Sequence, residues 1–230
     1  MSSPPSRPRR PSPLTVLGVV LLVLGLGCLG YVGYQYVGSN VVADRAFDSG
    51  RQDLRQRWQA ASTRAGSASP APTATPRAAE PPLPGDATAL LRIPAFGADY
   101  EIPILEGTDL GTLSEGVGHY PGTAQPGQVG NFALAGHRVT HGEPFRRLLQ
   151  LRSGDEVVVE TSTAVYTYVV DEAPRSLTVT DTATWVLDPV PGEPDAEPTR
   201  ALITLTTCQD LFRSSDRSVG FGHLQSTRNK

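Results

Sequence analysis

The first distinctive pattern along the chain is an uncharged, mostly apolar run over residues 14–37, LTVLGVVLLVLGLGCLGYVGYQYV. The run is longer than the roughly 20 residues that an α-helix needs to cross the hydrocarbon core of a bilayer. Tyr31, Tyr34 and Tyr36 cluster near its far end, where interfacial aromatic residues belong. The pattern predicts one N-terminal transmembrane helix.

The charges on either side of this run predict its orientation. Arg7, Arg9 and Arg10 lie in the Pro/Ser-rich segment that precedes it. The positive-inside rule therefore makes residues 1–13 a cytoplasmic tail and places the rest of the chain outside. The alternative is a cleaved signal peptide, but its apolar region spans only about 7–15 residues, and residues 41–43 offer only a weak cleavage site.

Polar residues follow the apolar run over residues 38–85, which we expect to be an extracellular juxtamembrane stalk and linker. Residues 44–60 are charged, with Leu54 and Trp58 at helical spacing, so a short helix and a solvated stalk both remain open. Residues 61–84 are rich in Ala, Pro, Ser and Thr, a composition that buries too little apolar surface to fold. The domain boundary is predicted near Gly85.

Residues 86–230 change to short alternating apolar and polar runs separated by Gly and Pro. This pattern is typical of strands and predicts an all-β domain, a closed or nearly closed β-barrel with few helices. The predicted strands cover residues 89–93, 101–105, 131–137, 156–161, 165–170, 201–207 and 218–225. The best helical segment is 144–151, with shorter turns near 110–114 and 181–185.

Charge and cysteine content exclude several functions. The formal net charge is −3, which argues against a nucleic-acid binder with its basic surface. The two cysteines are Cys28, inside the apolar run, and Cys208, so a disulfide between them is not expected. The cysteine and histidine spacings indicate no zinc site.

The candidate nucleophile is Cys208, at the end of the predicted strand ALITLTTC. Side chains alternate across a strand, so Ala201, Ile203 and Leu205 share an apolar face. Cys208 lies on the opposite face, which becomes more polar toward its end. A cysteine that only fills the core would belong to the apolar face, although a structural, inert Cys208 remains the alternative.

The segment Thr204-Leu205-Thr206-Thr207-Cys208 resembles the TLxTC signature of the sortases, cysteine transpeptidases of Gram-positive cell surfaces. The resemblance covers residues 86–230 and implies a closed β-barrel of about eight strands with a few short helices. It also implies a histidine and an arginine beside the cysteine, and no metal or organic cofactor.

The resemblance points to His137 and Arg217 as the partners of Cys208. His137 ends a predicted strand on its small-residue face, within the sortase-like segment Ala-Gly-His-Arg. Arg217, nine residues after the cysteine, fits the family position better than Arg213, which remains a minority candidate. The residues directly after the cysteine depart from the family pattern, because Gln and Asp stand where a proline is common. His141 and His223 are expected to be peripheral.

The segment GHYPGTA at residues 118–124 is similar to the class E sortases of high-GC actinobacteria. In that class Tyr120 would favour Ala at the second position of an LAxTG-like signal, where other classes take Pro. His119, Thr206 and Thr207 are expected at the same substrate pocket.

The implied function is cleavage of a C-terminal LAxTG/LPxTG-like sorting signal after Thr and transfer of the protein to an amine. Implied partners are surface proteins with such a signal, a lipid-linked peptidoglycan precursor as acceptor, and the membrane through residues 14–37. Two alternatives remain at this point: another surface cysteine transpeptidase or peptidase, such as an L,D-transpeptidase, and a non-catalytic wall-binding β-barrel. The L,D-transpeptidases carry Gly before the cysteine, where this chain has Thr207.

Overall fold

The fold comes from a computed structural model, which describes residues 12–67, 82–208 and 215–230. It begins with one continuous helical segment: α1 (Pro13–Gly33), a π-helical turn (Tyr34–Gly38) and α2 (Ser39–Ser67). Ser12 caps α1 by accepting a hydrogen bond from the Thr15 N–H at 3.2 Å, and Pro13 occupies the first helical position, where its missing N–H costs nothing.

The helical segment contains one stretch that is long and apolar enough to cross a membrane, and none of that stretch is buried inside the protein. Its mean hydropathy is 2.4. No residue of α1 is buried. An apolar helix left uncovered on all sides matches the predicted transmembrane helix at residues 14–37.

The rest of the described chain forms a β-barrel with a short helix α3 (Leu110–Glu115) and three 3₁₀ turns (Pro94–Phe96, Leu148–Gln150, Thr184–Leu187). The strands are β1 (Ala87–Arg92), β2 (Glu101–Glu106), β3 (Val117–His119), β4 (Gly130–Ala135), β5 (Glu156–Glu160), β6 (Ala164–Glu172), β7 (Thr178–Thr180), β8 (Ala201–Cys208) and β9 (Asp216–Asn229).

Eight of these strands close on themselves in the order β6-β5-β1-β2-β3-β4-β8-β9, with β9 pairing back onto β6. The ninth, β7, adds to the first residues of β9. Two pairs are parallel, β2 with β3 and β4 with β8, and the others are antiparallel. The predicted closed eight-stranded barrel is confirmed.

The barrel interior is filled by the apolar face of each strand. Phe132 and Leu134 of β4 and Ile203 and Leu205 of β8 all belong to this core and are at most 2% exposed. The other faces of β4 and β8 therefore point outward, as the alternation of the sequence predicts. Cys208 and His137 follow on these outward faces.

The juxtamembrane segment differs from the expected solvated stalk. From residue 39 it is helical to Ser67, and it packs along the barrel. Ala43 and Phe47 join the barrel core, and Leu54 is 1% exposed. Arg55 forms an ion pair with Glu101 at 2.7 Å. The folded domain thus includes α2, and only residues 82–86 of the described linker are irregular or turn.

Three local predictions also need correction. The helix expected at 144–151 is reduced to the 3₁₀ turn Leu148–Gln150, where the N–H groups of Gln150 and Leu151 bond to the carbonyls three residues back, those of Arg147 and Leu148. The strands β3 and β7 were not predicted, since three residues are too short to show an alternating pattern. The expected turns near 110–114 and 181–185 correspond to α3 and to Thr184–Leu187.

Candidate active site

Two neighbouring strands bring the predicted cysteine and histidine side by side. In the parallel pair β4–β8, Ala135 is opposite Thr206. The pairing continues past the end of β4, because the Gly136 N–H donates to the Thr206 carbonyl at 3.2 Å. Two residues further along each chain are His137 and Cys208. Because the two residues are in register and have the same parity, their side chains point to the same face of the sheet. The neighbouring chain segments that carry them are about 4.8 Å apart.

Arg217 lies on the other side of Cys208. Cys208 and Arg217 are directly opposite in the antiparallel pair β8–β9, where facing Cβ atoms are typically about 5 Å apart. Arg217 is the second residue of β9, rather than a loop residue before the last strand. The order across the barrel end is therefore His137, Cys208, Arg217, with the thiol between an imidazole and a guanidinium.

Asp181 accompanies Arg217 in this arrangement. One of its carboxylate oxygens is 3.9 Å from the Arg217 guanidinium, and the Asp181 N–H donates to the Ser215 carbonyl at 2.7 Å. Arg217 also donates to the Asp216 carbonyl at 3.1 Å. These contacts aim the guanidinium along the β7 side of the barrel end.

A buried polar network closes the groove below Cys208. The Thr204 hydroxyl donates to the Asn131 side-chain oxygen at 2.7 Å. The Asn131 amide in turn donates to the carbonyls of Val186 and Asp188, at 3.0 and 3.1 Å. The segment around Val186 thereby covers the outer face of β4 and β8 at Asn131 and Thr204, and Cys208 lies beyond this covered part, at the end of β8.

Tyr120 lies beside Thr206, the residue of β8 that precedes Cys208 by two positions on the same face. Its hydroxyl is 3.2 Å from the Thr206 hydroxyl, which itself donates to the Leu134 carbonyl at 3.1 Å. The Tyr120 N–H donates to the Ala133 carbonyl. The Tyr120 side chain is half-buried.

His137 is packed so that its side chain has little freedom. A Cβ on Gly136 would come within 2.7 Å of the Phe145 ring, so only glycine fits directly before the histidine. The Phe145 N–H donates to the His137 carbonyl at 2.9 Å. The His141 ring stacks on the His137 ring with the centroids 4.8 Å apart.

The electrostatics of His137 follow from this packing. Burial, and secondly the neighbouring His141, lower the pKa of His137 from 6.5 to about 4, so the imidazole is neutral at pH 7. Its Nε2 atom is buried and meets no hydrogen-bond partner among the residues that the structure describes. A neutral ring with an uncommitted nitrogen can accept a proton.

The remaining predicted pocket residues do not all reach the groove. His119 is 2% exposed, and its ring bonds to Glu106 at 2.7 Å, to the Thr123 hydroxyl at 2.9 Å and to the Ala124 carbonyl at 3.1 Å. It supports the loop after Tyr120 from inside the barrel wall. Thr207 is also buried, and its hydroxyl donates to the Gly136 carbonyl at 2.8 Å, so its side chain faces away from Cys208.

Residues 209–214 fall outside the described part of the chain, so the minority candidate Arg213 is not placed.

Several residues at the site were missed by sequence reasoning. His141, expected to be peripheral, touches His137, and Arg138 donates to the Cys208 carbonyl at 3.3 Å. Arg138 was visible as the residue after His137, but nothing in the sequence indicated the positions of Asp181 or Glu106. No group of three or more metal-binding side chains occurs among the described residues.

Comparison with known proteins gives a consistent result. The family model described as the sortase domain matches residues 91–225. Sortase SrtE1 of Streptomyces coelicolor is 34% identical over 97% of this chain, which spans 61% of that relative's length. The structure of sortase E from Streptomyces avermitilis is 42% identical, with a TM-score of 0.58, over 64% of this chain and 93% of the other.

A third similar structure is that of sortase E1 from Streptomyces coelicolor with a tripeptide in the active site. It is 37% identical, with a TM-score of 0.56, over 64% of this chain and 93% of the other. The family match covers more than half of the chain, and it includes the strands that bear Cys208, His137 and Arg217. The chain therefore belongs to the sortase family of cysteine transpeptidases, among its class E members.

Proposed function

We propose that the chain is a membrane-anchored transpeptidase that cleaves an LAxTG/LPxTG-like sorting signal after Thr and joins the protein to an amine of a cell-wall precursor. The observation that carries this proposal is the row His137–Cys208–Arg217 at one barrel end. A scaffold that only binds the wall would not need a thiol between a neutral imidazole and a guanidinium.

The first step uses the neutral state of His137. As the Cys208 sulfur attacks the Thr carbonyl carbon, its proton passes to the imidazole, and the carbonyl oxygen gains a negative charge. Arg217 and the backbone near Thr207 stabilise this oxyanion, an effect typically worth about 3–4 kcal/mol for a strong donor. When the C–N bond breaks, His137 returns the proton to the departing glycine amine, and a thioester to Cys208 remains.

The second step reverses these roles. The acceptor amine attacks the thioester carbonyl, and His137 takes a proton from it. The C–S bond then breaks, and the proton passes from His137 to the leaving thiolate, which restores the resting enzyme. No step needs a metal or a redox partner, because every proton moves through one imidazole.

Tyr120 supports the choice of an LAxTG-like signal. Its ring borders the groove beside Thr206, next to the place where the residues before the scissile bond must lie. The phenol narrows this part of the groove, and a compact Ala at the second position fits such a space more easily than the ring of Pro. His119 acts indirectly, by fixing the loop that carries Tyr120.

The proposed location is the outer side of the cell membrane, with the N-terminus in the cytoplasm. Arg7, Arg9 and Arg10 precede the uncovered apolar helix, and the barrel follows it. The substrates in this proposal are surface proteins with a C-terminal signal and a lipid-linked peptidoglycan precursor, both of which are present on that side.

The decisive experiment is to trap the thioester. The full chain in detergent micelles is mixed with an LAxTG peptide and no amine, and the protein mass is measured. The protein should gain the mass of the peptide fragment that ends in Thr, at Cys208, and a Cys208→Ala variant should gain nothing. An LPxTG peptide should react more slowly. Acylation of the Cys208→Ala variant would refute the proposal, and equal rates for both peptides would refute the LAxTG preference alone.

A further inference from the structure

The loop that follows His137 has an unusual backbone. Three consecutive residues lie in the left-handed region, His141 with φ 55°, Gly142 with φ 75° and Glu143 with φ 48°. Residues other than glycine rarely adopt this conformation, and two of them in one run require outside support. The loop therefore has to be held by contacts beyond its own sequence.

Those contacts come from the first turn of α2, about 100 residues earlier in the chain. The Gly142 N–H donates to the Asn40 side-chain oxygen at 3.0 Å, and the Asn40 amide donates to a Glu143 carboxylate oxygen at 2.9 Å. The His141 N–H approaches the Ser39 hydroxyl at 3.4 Å. One asparagine thus satisfies both a backbone donor and a side-chain acceptor of the strained loop.

Phe47, two turns further along α2, closes over the same loop. The ring is 3% exposed and belongs to the barrel core. A Cβ on Gly142 would lie 2.5 Å from this ring, so the helix and the loop approach as closely as a glycine allows. The loop is fixed from two sides, by polar contacts from Asn40 and by the packed ring of Phe47.

The loop in turn touches the proposed catalytic base. The His141 ring lies on the His137 ring at 4.8 Å with an interplanar angle of 27°. His137 has no other ring partner in the described part of the chain, and its Nε2 meets no hydrogen-bond partner there. The orientation of the imidazole is therefore set by packing, and His141 is one wall of that packing.

We propose that α2 is part of the catalytic apparatus and that Asn40 is a positioning residue, which fixes the His137 imidazole through the His141–Glu143 loop. The proposal rests on the proposed function in one respect, that His137 transfers the proton. It assigns a role in chemistry to a segment that otherwise serves to connect the membrane helix to the barrel.

The contacts of α2 predict what happens when Asn40 is removed. Without Asn40, the helix keeps its other contacts with the barrel. Phe47 and Leu54 stay packed against apolar residues, and Arg55 stays paired with Glu101. Loss of the Asn40 bonds should therefore free the loop without detaching the helix. Since misplacement of a catalytic group by about 1 Å costs as much as 100-fold in rate, kcat should fall while KM for the peptide stays the same.

The test compares Asn40→Ala with Gln52→Ala in the full chain in detergent micelles. Gln52 is an exposed amide of the same helix, so the control removes the same chemical group without touching the loop. We expect Asn40→Ala to lower kcat for LAxTG-peptide transpeptidation about 10-fold or more. KM should remain within about twofold, and the melting temperature should match that of the control.

An exchange of partners provides a rescue. Asn40→Asp alone keeps an acceptor for the Gly142 N–H but sets a carboxylate against Glu143, so its kcat should also fall. Adding Glu143→Gln restores a donor to that carboxylate, and the double variant should recover most of the lost kcat. A general weakening of the fold would not be repaired in this way.

A spectroscopic measurement separates this inference from the proposed function. The ring signals of His137 are assigned by their absence in His137→Gln, and their chemical shifts should move in Asn40→Ala but not in Gln52→Ala, because the stacked His141 ring shifts away. This holds even if the wild-type chain shows no transpeptidation, in which case only the proposed function fails. Unmoved His137 signals, a kcat equal to that of the control, or a kcat loss that only accompanies a lowered melting temperature would each overturn the inference.

Discussion

Acidification should destabilise the wild-type chain more than a His137→Gln variant. The pKa of His137 is lowered from 6.5 to about 4, first by burial and then by His141. Between these two values the unfolded chain binds a proton that the folded chain does not, so the free energy of unfolding falls as the pH falls. The effect is almost absent above pH 6.5, grows down to pH 4 and then levels off.

The magnitude follows from the two pKa values. A lowering from 6.5 to about 4 corresponds to a loss of about 3 kcal/mol between pH 7 and pH 4, with about half of it reached near pH 5.5. Other groups titrate over the same range, but they do so in both proteins. The difference between the wild type and His137→Gln therefore isolates the contribution of this one ring.

The assay is guanidinium unfolding of the full chain in detergent micelles at a series of pH values. Intrinsic fluorescence reports both parts of the catalytic domain, because Trp58 of α2 lies under the Lys230 amine and Trp185 packs near Phe221 on the barrel. A difference between the two proteins that stays flat from pH 7 to pH 4 would refute the reasoning. It would mean that the His137 ring is open to water and protonates at its ordinary pKa.

Three further predictions concern residues around the site. Phe47→Ala should lower the free energy of unfolding by about 3–5 kcal/mol, because it removes a fully packed side chain. Denaturant titration measures this free energy, and a loss as small as that of an exposed substitution would show that α2 is not docked. Asp181→Ala should lower kcat/KM about two- to fivefold, because a partly exposed ion pair to Arg217 is worth up to about 1 kcal/mol; unchanged steady-state kinetics would contradict a role in aiming the guanidinium. Glu106→Gln should lower the free energy of unfolding by about 1–3 kcal/mol, because it weakens the buried contact to His119. A thermal melt would detect this loss, and an unshifted melting temperature would contradict the prediction.

The parity of single strands was enough to place Cys208 and His137 on the faces opposite the core. Cys208 ends β8, whereas β4 ends at Ala135, two residues before the predicted end at His137. Both residues keep the parity of the face opposite the core, and this could be counted from the sequence. Their adjacency could not be counted, because it depends on the parallel pairing of β4 with β8, which lie about 70 residues apart. The resemblance to the sortases supplied that missing step, and the register of the barrel agrees with it.

The position of His119 could not be predicted from the sequence pattern. It was expected in the pocket because its neighbours Gly118 and Tyr120 match the class E segment. In the structure, His119 pairs with Glu106 across the parallel strands β2 and β3. A strand of three residues gives no alternation to detect, and the register of a parallel pair leaves no local signal. The buried contact between His119 and Glu106 could therefore not be predicted.

The docking of α2 was missed for a different reason. Its buried positions, Ala43, Phe47 and Leu54, are few and lie among charged residues, so the segment resembles a solvated stalk. The covering surface is supplied by the barrel, and its polar contacts, such as Arg55 to Glu101, join residues far apart in sequence. An interface that mixes a few apolar side chains with ion pairs is recognisable only when both sides are known.

The course of α2 along the barrel also predicts which end of the domain faces the membrane. Its first turn holds the loop beside His137, whereas Trp58, near its far end, contacts Lys230. Nineteen residues of helix between Ser39 and Trp58 span about 28 Å at 1.5 Å per residue. Since the apolar run ends directly before Ser39, the catalytic end should be the one close to the bilayer.

This orientation can be measured with single-cysteine chains in vesicles that carry nitroxide lipids. A fluorophore on Cys208, in a Cys28→Ser background, should be quenched more strongly than one placed by Lys230→Cys in a Cys28→Ser, Cys208→Ala background. Equal quenching, or stronger quenching at position 230, would show that the helix leaves the membrane before Ser39 or bends there. Strong quenching at Cys208 would mean that a lipid-linked amine reaches the thioester without leaving the membrane surface.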